Sequence, residues 1–142
     1  MTHLLDTDHL SILQRRAGLD YTVLVANMVR HDESDIGVCV VSLHEQALGA
    51  HAKINGARNQ SELLQGYRFL FDIIEDYRMM PLLPFDLGAS AAFNLLKAQK
   101  VRIGSMDLRL AAVALSRGLI LVTRNAQDFA LVPGLQIEDW TK

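Results

Sequence analysis

The chain has 142 residues, the usual size of one domain, and half of them are apolar. With 14 basic and 16 acidic residues the net charge is −2, which excludes a histone-like or polybasic binder whose affinity rests on bulk charge. One cysteine excludes a disulfide-built secreted fold, and a domain of this length buries about 68–70% of its unfolded surface, enough to fold without disulfides or a structural metal.

The amino terminus, MTHLLDTDHL, shows no basic leader followed by a long apolar stretch. No later run approaches the roughly 18 apolar residues of a membrane span, so a soluble cytoplasmic protein is expected. A first strand is predicted at 3–5 (HLL), followed by Asp6 and a helix beginning HLSILQRR that Asp8 would cap. The apolar run IGVCVV at 36–41 predicts a second strand, with Cys39 as a small buried hydrophobe. A helix over 42–55 carries Leu43, Ala47, Ala50 and Ile54 on one stripe, with Gly49 and Ala52 small enough for close approach.

A loop at 56–61 leads into 59–78, where Leu63, Leu64, Tyr67, Phe69, Leu70, Phe71, Ile73, Ile74 and Tyr77 occupy nearly every side of a helix. One face cannot bury them all, which implies either a core helix flanked by another helix or a protein interface. Next come a strand at 80–83 (MPLL) and Asp86 as a strand-to-helix cap. A helix over 105–117 ends at Gly118 in a left-handed cap, and strands follow at 119–122 (LILV) and 135–137 (LQI). Short apolar strands alternating with helical stretches predict an α/β chain, its largely parallel sheet covered on both faces.

The informative residues are acidic. Asp6 follows the first strand, Glu45 comes four residues after the second, and Asp128 lies six residues after LILV, in TRNAQDF. In an open α/β sheet the carboxyl ends of the strands form the ligand crevice, so residues far apart in sequence meet at one rim. Asp107, in IGSMDLRLAA, opens a helix and reaches the same side only if the preceding loop returns there.

Each acid also has a structural explanation. Ser42 and Glu45 spell a capping box, Asp107 in a first turn suits the helix dipole, and Asp6 or Asp128 can serve a turn or cap. Jointly they demand more, because two such charges 4 Å apart repel by about 4 kcal/mol at an effective dielectric of 20. A hard divalent cation removes that repulsion. Magnesium or manganese suits an all-oxygen site that keeps water and phosphate oxygens as remaining ligands, and its chemistry is in-line phosphodiester hydrolysis, with one carboxylate as general base.

Between 97 and 127 the basic side chains Lys97, Lys100, Arg102, Arg109, Arg117 and Arg124 face only Asp107, a local excess able to guide a nucleic-acid backbone. Arg124, nearest the TRN loop, is the best single candidate for that role. The histidines suggest no zinc site: His44 and His51 are seven apart and do not form H-E-x-x-H, and His3, His9 and His31 read as ordinary.

Together LLDTD (4–8), VSLHE (41–45), IGSMDLRLAAVAL (103–115) and LVTRNAQDFALVPGLQIEDW (121–140) resemble a PIN-domain nuclease, specifically a VapC-type toxin of a bacterial toxin–antitoxin pair. The resemblance spans nearly the whole chain and implies one PIN-like nuclease domain over 1–142, a three-layer fold with a central, mainly parallel sheet. It carries Asp6, Glu45, Asp107 and Asp128 over as the metal-binding and catalytic quartet, with Thr123 and Asn125 as polar residues lining the site. It further implies a magnesium- or manganese-dependent endoribonuclease that cleaves RNA, a cognate antitoxin that occupies its groove, and a homodimer. The family usually has asparagine two residues after the first aspartate, where this chain has Asp8.

Two alternatives compete. The D-x-D after the first strand also suits a haloacid-dehalogenase-type phosphatase, with Asp6 as nucleophile and Asp8 as general acid. A non-catalytic PIN-like binding module would keep the acids only as caps.

Overall fold

A computed structural model describes residues 1–142. The elements run β1 (His3–Leu5), α1 (Thr7–Arg15), α2 (Leu19–Met28), a 3-10 turn, β2 (Ile36–Cys39), α3 (Val40–Asn55), α4 (Gln60–Tyr77), β3 (Leu82–Leu83), α5 (Leu87–Ala98), α6 (Ser105–Arg117), β4 (Ile120–Val122), α7 (Ala126–Phe129) and β5 (Ile137–Glu138). All pairings are parallel, in the order β3-β2-β1-β4-β5. The chain first moves outward from β1 to one edge, then crosses to β4 on its other side. The strand order therefore reverses between β1 and β4, and an α/β sheet opens its crevice at such a reversal.

Strand alternation divides the apolar residues between two cores. Leu4, Cys39 and Leu121 pack on one face with α5 and α6 through Ala89, Leu96, Leu108, Ala111 and Ala112. Leu5, Val38 and Val122 face the other way onto Leu10, Ile12, Leu24, Ile73 and Trp140. The result is the expected three-layer α/β architecture. No helix is long and apolar enough to cross a membrane.

Several boundaries differ from the sequence reading, each for a local reason. The second strand stops at Cys39 rather than 41, because the Cys39 thiol accepts the Val41 N–H at 3.4 Å and α3 begins at Val40. The third strand is reduced to Leu82–Leu83: Pro81 has no N–H and joins the sheet only by accepting from the Val38 N–H at 2.9 Å. The last strand shifts to Ile137–Glu138, where Leu121 and Thr123 donate to the Gln136 and Glu138 carbonyls. TRNAQDF is not all loop, since Ala126–Phe129 forms a helical turn. The α6 helix ends as expected, with Gly118 at φ 65° and Leu119 N–H reaching back to the Ala114 carbonyl at 2.9 Å.

The helix over 59–78 is Gln60–Tyr77, packed on α3 with one side turned to the core and another left exposed. Asn59 caps it, and Ile73 and Tyr77 enter the core, while Leu64, Tyr67, Phe71 and Ile74 stay exposed. Its close approach to α3 does not use Gly49 or Ala52, which face solvent. It uses Gly66, where a Cβ would lie 2.8 Å from Ile54 Cγ1 and 3.1 Å from the Ile54 backbone nitrogen. Glycine here sacrifices roughly 1 kcal/mol of helix propensity for contact. Gly66→Val is expected to lower unfolding stability by about 1–3 kcal/mol, seen as a lower urea midpoint at unchanged m value. An unchanged midpoint would show that α3 and α4 can separate freely.

Candidate active site

The first carboxylate of the rim is placed by helix capping. Asp6 directly follows β1, is 6% exposed, and accepts the His9 N–H at 2.8 Å as the N-cap of α1. Its own N–H bonds the Val122 carbonyl at 3.0 Å, fixing it against the end of β4. Asp8, expected to cap this helix, does not. It lies inside the first turn, and both of its oxygens are bound by Arg124, Nε to Oδ2 at 2.6 Å and Nη2 to Oδ1 at 2.9 Å. This guanidinium holds the Asp8 carboxyl below its ordinary range.

Glu45 arrives by a different route. Because α3 starts at Val40, Ser42 lies inside the helix and the expected Ser42–Glu45 capping box does not form. Ser42 instead accepts a hydrogen bond from Thr7 Oγ1 at 2.9 Å, tying the start of α1 to α3 beside the rim. A reciprocal amide pair between Gln14 and Gln46, at 3.0 and 2.9 Å, continues that seam. Glu45 is half-buried and makes no hydrogen bond or ion pair within the protein.

Asp107 is the third residue of α6. The tight turn at Gly118 sends this helix back against the direction of β4, so its first turn stands at the carboxyl ends of the strands, and the condition set for Asp107 is met. Half-buried and without a hydrogen-bond partner, its carboxyl is pushed up by burial first, then by the negative charges of Glu45, Asp6 and Asp128. That repulsion brings the four acids into one electrostatic neighbourhood.

Asp128 is the best supported of the four. Asn125 caps α7 by accepting the Asp128 N–H at 3.3 Å, and its Nδ2 donates to Asp128 Oδ2 at 3.0 Å. Thr123, buried at the end of β4, accepts the Asn125 N–H at 2.9 Å through Oγ1. Thr123 and Asn125 thus form a relay that fixes one carboxylate.

None of the four acids pairs with a lysine or arginine; those pairs lie elsewhere, as in Arg117–Asp86 and Arg124–Asp8. Arg124 also donates to Asp20 at 3.0 Å, so it is committed to two carboxylates rather than free for a phosphate backbone. Arg117 is likewise occupied by Asp86, which caps α5 as expected. Of the basic stretch, Lys97, Lys100 and Arg102 stay exposed, and the guanidinium of Arg109 and the ammonium of Lys97 lie 5.8 and 5.6 Å from the Phe93 ring centre.

Two features escaped the sequence reading. His9, taken as ordinary, is fully buried and its Nδ1 lies 3.0 Å from Asp6 Oδ1. His3 and His31 are not ordinary either, since they cluster with Trp140 at ring separations of 4.7–4.9 Å and hold the carboxyl-terminal segment to the sheet. His44 and His51 are exposed. Asp6, Asp8 and His9 bring three donor atoms within 4.8 Å of one another. Arg124 occupies both oxygens of Asp8, and His9 Nδ1 is taken up by Asp6 Oδ1, so of this trio Asp6 Oδ2 and the buried His9 Nε2 are left without a hydrogen-bond partner.

Comparison with known proteins gives the family. No protein-family profile matches the chain. Over 105 residues it is 30% identical to the tRNA(fMet)-specific endonuclease VapC of Shigella flexneri, covering 71% of this chain and 72% of that protein. A 49-residue stretch is 45% identical to ribonuclease VapC1 of Haemophilus influenzae strain R2866, covering 34% of this chain and 37% of that protein. Among solved structures, DNA-bound VapBC from Salmonella typhimurium superposes at TM-score 0.77 and 22% identity, over 99% of this chain and 98% of that one. VapBC-1 from nontypeable Haemophilus influenzae gives 0.75 and 24% over the full length of both chains. A toxin–antitoxin complex from Klebsiella pneumoniae gives 0.69 and 17% over 98% of each. These structures share the fold, and the first relative shows more: the chain belongs to the VapC family of PIN-domain nucleases.

The raised Asp107 carboxyl fixes a sign. A folded-state value above the unfolded one means stability is fully present below the unfolded value, near 3.8, and is lost as pH rises through the folded value. Metal-free Asp107→Asn is therefore expected to unfold at higher urea than the parent at pH 7, with the gap closing below about pH 4. A parent as stable as the variant at pH 7 would show that the acids do not repel.

Proposed function

We propose that residues 1–142 act as one PIN-like endoribonuclease unit, with Asp6, Glu45, Asp107 and Asp128 holding a divalent cation at the carboxyl rim of the sheet. The observation that carries this reading is an Asp107 carboxyl raised by burial and then by Glu45, Asp6 and Asp128, with no lysine or arginine paired to any of the four. Such a donor set fits a hard cation, magnesium or manganese, and offers no thiolate for a softer one. Bound there, the cation would polarise the phosphoryl group and lower the pKa of an attacking water.

The chain's own residues supply the rest. Asp6 keeps Oδ2 free while its other oxygen serves the helix cap, and Glu45 and Asp107 leave all their oxygens open. Asn125 and Thr123 hold Asp128 in place rather than waiting for substrate. Lys97, Lys100, Arg102 and Arg109 are the cations left to approach an RNA backbone beside α6.

The rival readings lose their chemistry. A phosphatase needs Asp8 as general acid, yet Arg124 occupies both of its oxygens. A binding module that keeps acids as caps accounts for Asp6 alone, since Glu45 and Asp107 cap nothing.

RNA is the proposed substrate, and the name of the Shigella relative makes initiator tRNA the first one to test. The exposed Leu64, Tyr67, Phe71 and Ile74 on α4 support a protein partner, for which the family name and the solved complexes suggest a cognate antitoxin. A homodimer is the proposed assembly.

Asp6→Asn and Asp107→Asn are each expected to reduce RNA cleavage to the level of a chelator control while the circular dichroism spectrum stays unchanged. Activity near that of the parent in either variant would overturn the assignment. Magnesium at a hundred times its dissociation constant should stabilise the parent by about 2.7 kcal/mol and Asp107→Asn by much less, read as a shift in thermal midpoint.

A further inference from the structure

We propose that His9 is a positioning residue that locks the Asp6 carboxylate for cation binding, an inference that rests on the nuclease reading above. His9 supplies two donors to the same acceptor: its backbone N–H reaches Asp6 Oδ1 at 2.8 Å and its ring Nδ1 reaches that same oxygen at 3.0 Å. A carboxylate only accepts, so the ring must carry its proton on Nδ1 for this bond to exist. Oδ1 is thereby saturated by one residue from two directions, the carboxyl plane is fixed, and Oδ2 remains without a protein partner.

A capping aspartate does not need this second bond. Asn59 caps α4 and Asp86 caps α5 through one backbone N–H each, with no side chain three residues on gripping the same oxygen. The ring at position 9 is also fully buried, which is costly for a group whose other nitrogen, Nε2, has no hydrogen-bond partner and sits 3.8 Å from Asp139 Oδ1. A leucine would fill the space without that cost. The retained imidazole is accounted for by what Nδ1 does to Asp6. Outer partners of this kind orient the groups that hold an ion, and their loss weakens affinity by about 10- to 100-fold.

The test compares His9→Leu, which keeps bulk but has no donor, with His9→Asn, whose Nδ2 stands near the place of Nδ1. Manganese is the probe, titrated by electron paramagnetic resonance, with tRNA cleavage followed in parallel. We expect the leucine variant to bind manganese about 10- to 100-fold more weakly and the asparagine variant to recover most of that loss, both with the parent's circular dichroism spectrum. Equal manganese affinity in the parent and the leucine variant would overturn the role of His9 while leaving the nuclease reading intact. A parent that binds no manganese would overturn both. If neither variant folds, long-range proton–nitrogen spectra of the metal-free parent decide: a protonated Nδ1 at His9 supports the proposal, and a bare Nδ1 ends it.

Discussion

The constraint at the carboxyl rim is the half-buried Asp107 carboxyl, which faces the negative charges of Glu45, Asp6 and Asp128 with no lysine or arginine paired to any of the four. Two carboxylates 4 Å apart repel by about 4 kcal/mol at an effective dielectric of 20 and by less at longer range, and the charges of Glu45, Asp6 and Asp128 all act on Asp107 in this sense. Against a total stability of roughly 5–15 kcal/mol for a domain, this is a load the fold must answer. The Asp107 carboxyl is raised by burial first and by these three charges after it.

The rim treats its acids in two ways. Asp8, a neighbour of Asp6 in the same turn, is neutralised through both oxygens by Arg124, and Asp20 is drawn into the same contact. Away from the rim, at the far end of α6, Asp86 has Arg117 in the same way. The quartet receives no such partner, although Arg109 is only two residues from Asp107 on the same helix, with its guanidinium 5.8 Å from the Phe93 ring centre. Where the family usually has a neutral asparagine, this chain has an aspartate with its own arginine, so the extra charge is cancelled locally instead of being added to the quartet. The same pairing that removes Arg124 as an RNA contact therefore preserves the balance of the site.

Much of this was legible in the sequence, for identifiable reasons. Asp6, Glu45 and Asp128 stand out because each follows a strand and parallel strands bring such positions to one edge, whereas Asp107 reaches that edge only because the loop before α6 returns there. The Gly118 stop was equally legible, since a left-handed residue ends a helix in a defined way. What could not be read was the choice among competing local bonds. Cys39 caps α3 in place of Ser42, because the buried thiol three residues earlier accepts the Val41 N–H and the helix has begun before Ser42 is reached. Arg124 was drawn away by Asp20, 104 positions distant, which no spacing rule anticipates. His9 looked ordinary because a histidine three residues into a helix has no fixed meaning until its neighbour across the cap is known to be a site residue.

The fold supplies some compensation without a cation, and its size decides what remains. Three of the four acids sit at helix amino termini: Asp6 caps α1, Asp107 is in the first turn of α6, and Asp128 is in the first turn of α7. Each such placement is worth about 0.3–1 kcal/mol, so together the dipoles return roughly 1–3 kcal/mol. Hydrogen bonds from His9 and Asn125 add support to Asp6 and Asp128, but Glu45 lies in the second turn of α3 and receives neither aid. These gains reach Asp6, Asp107 and Asp128 and leave Glu45 out. The shortfall is greatest between Glu45 and Asp107, the two acids with no protein partner at all, and it is there that a divalent cation would relieve the most repulsion.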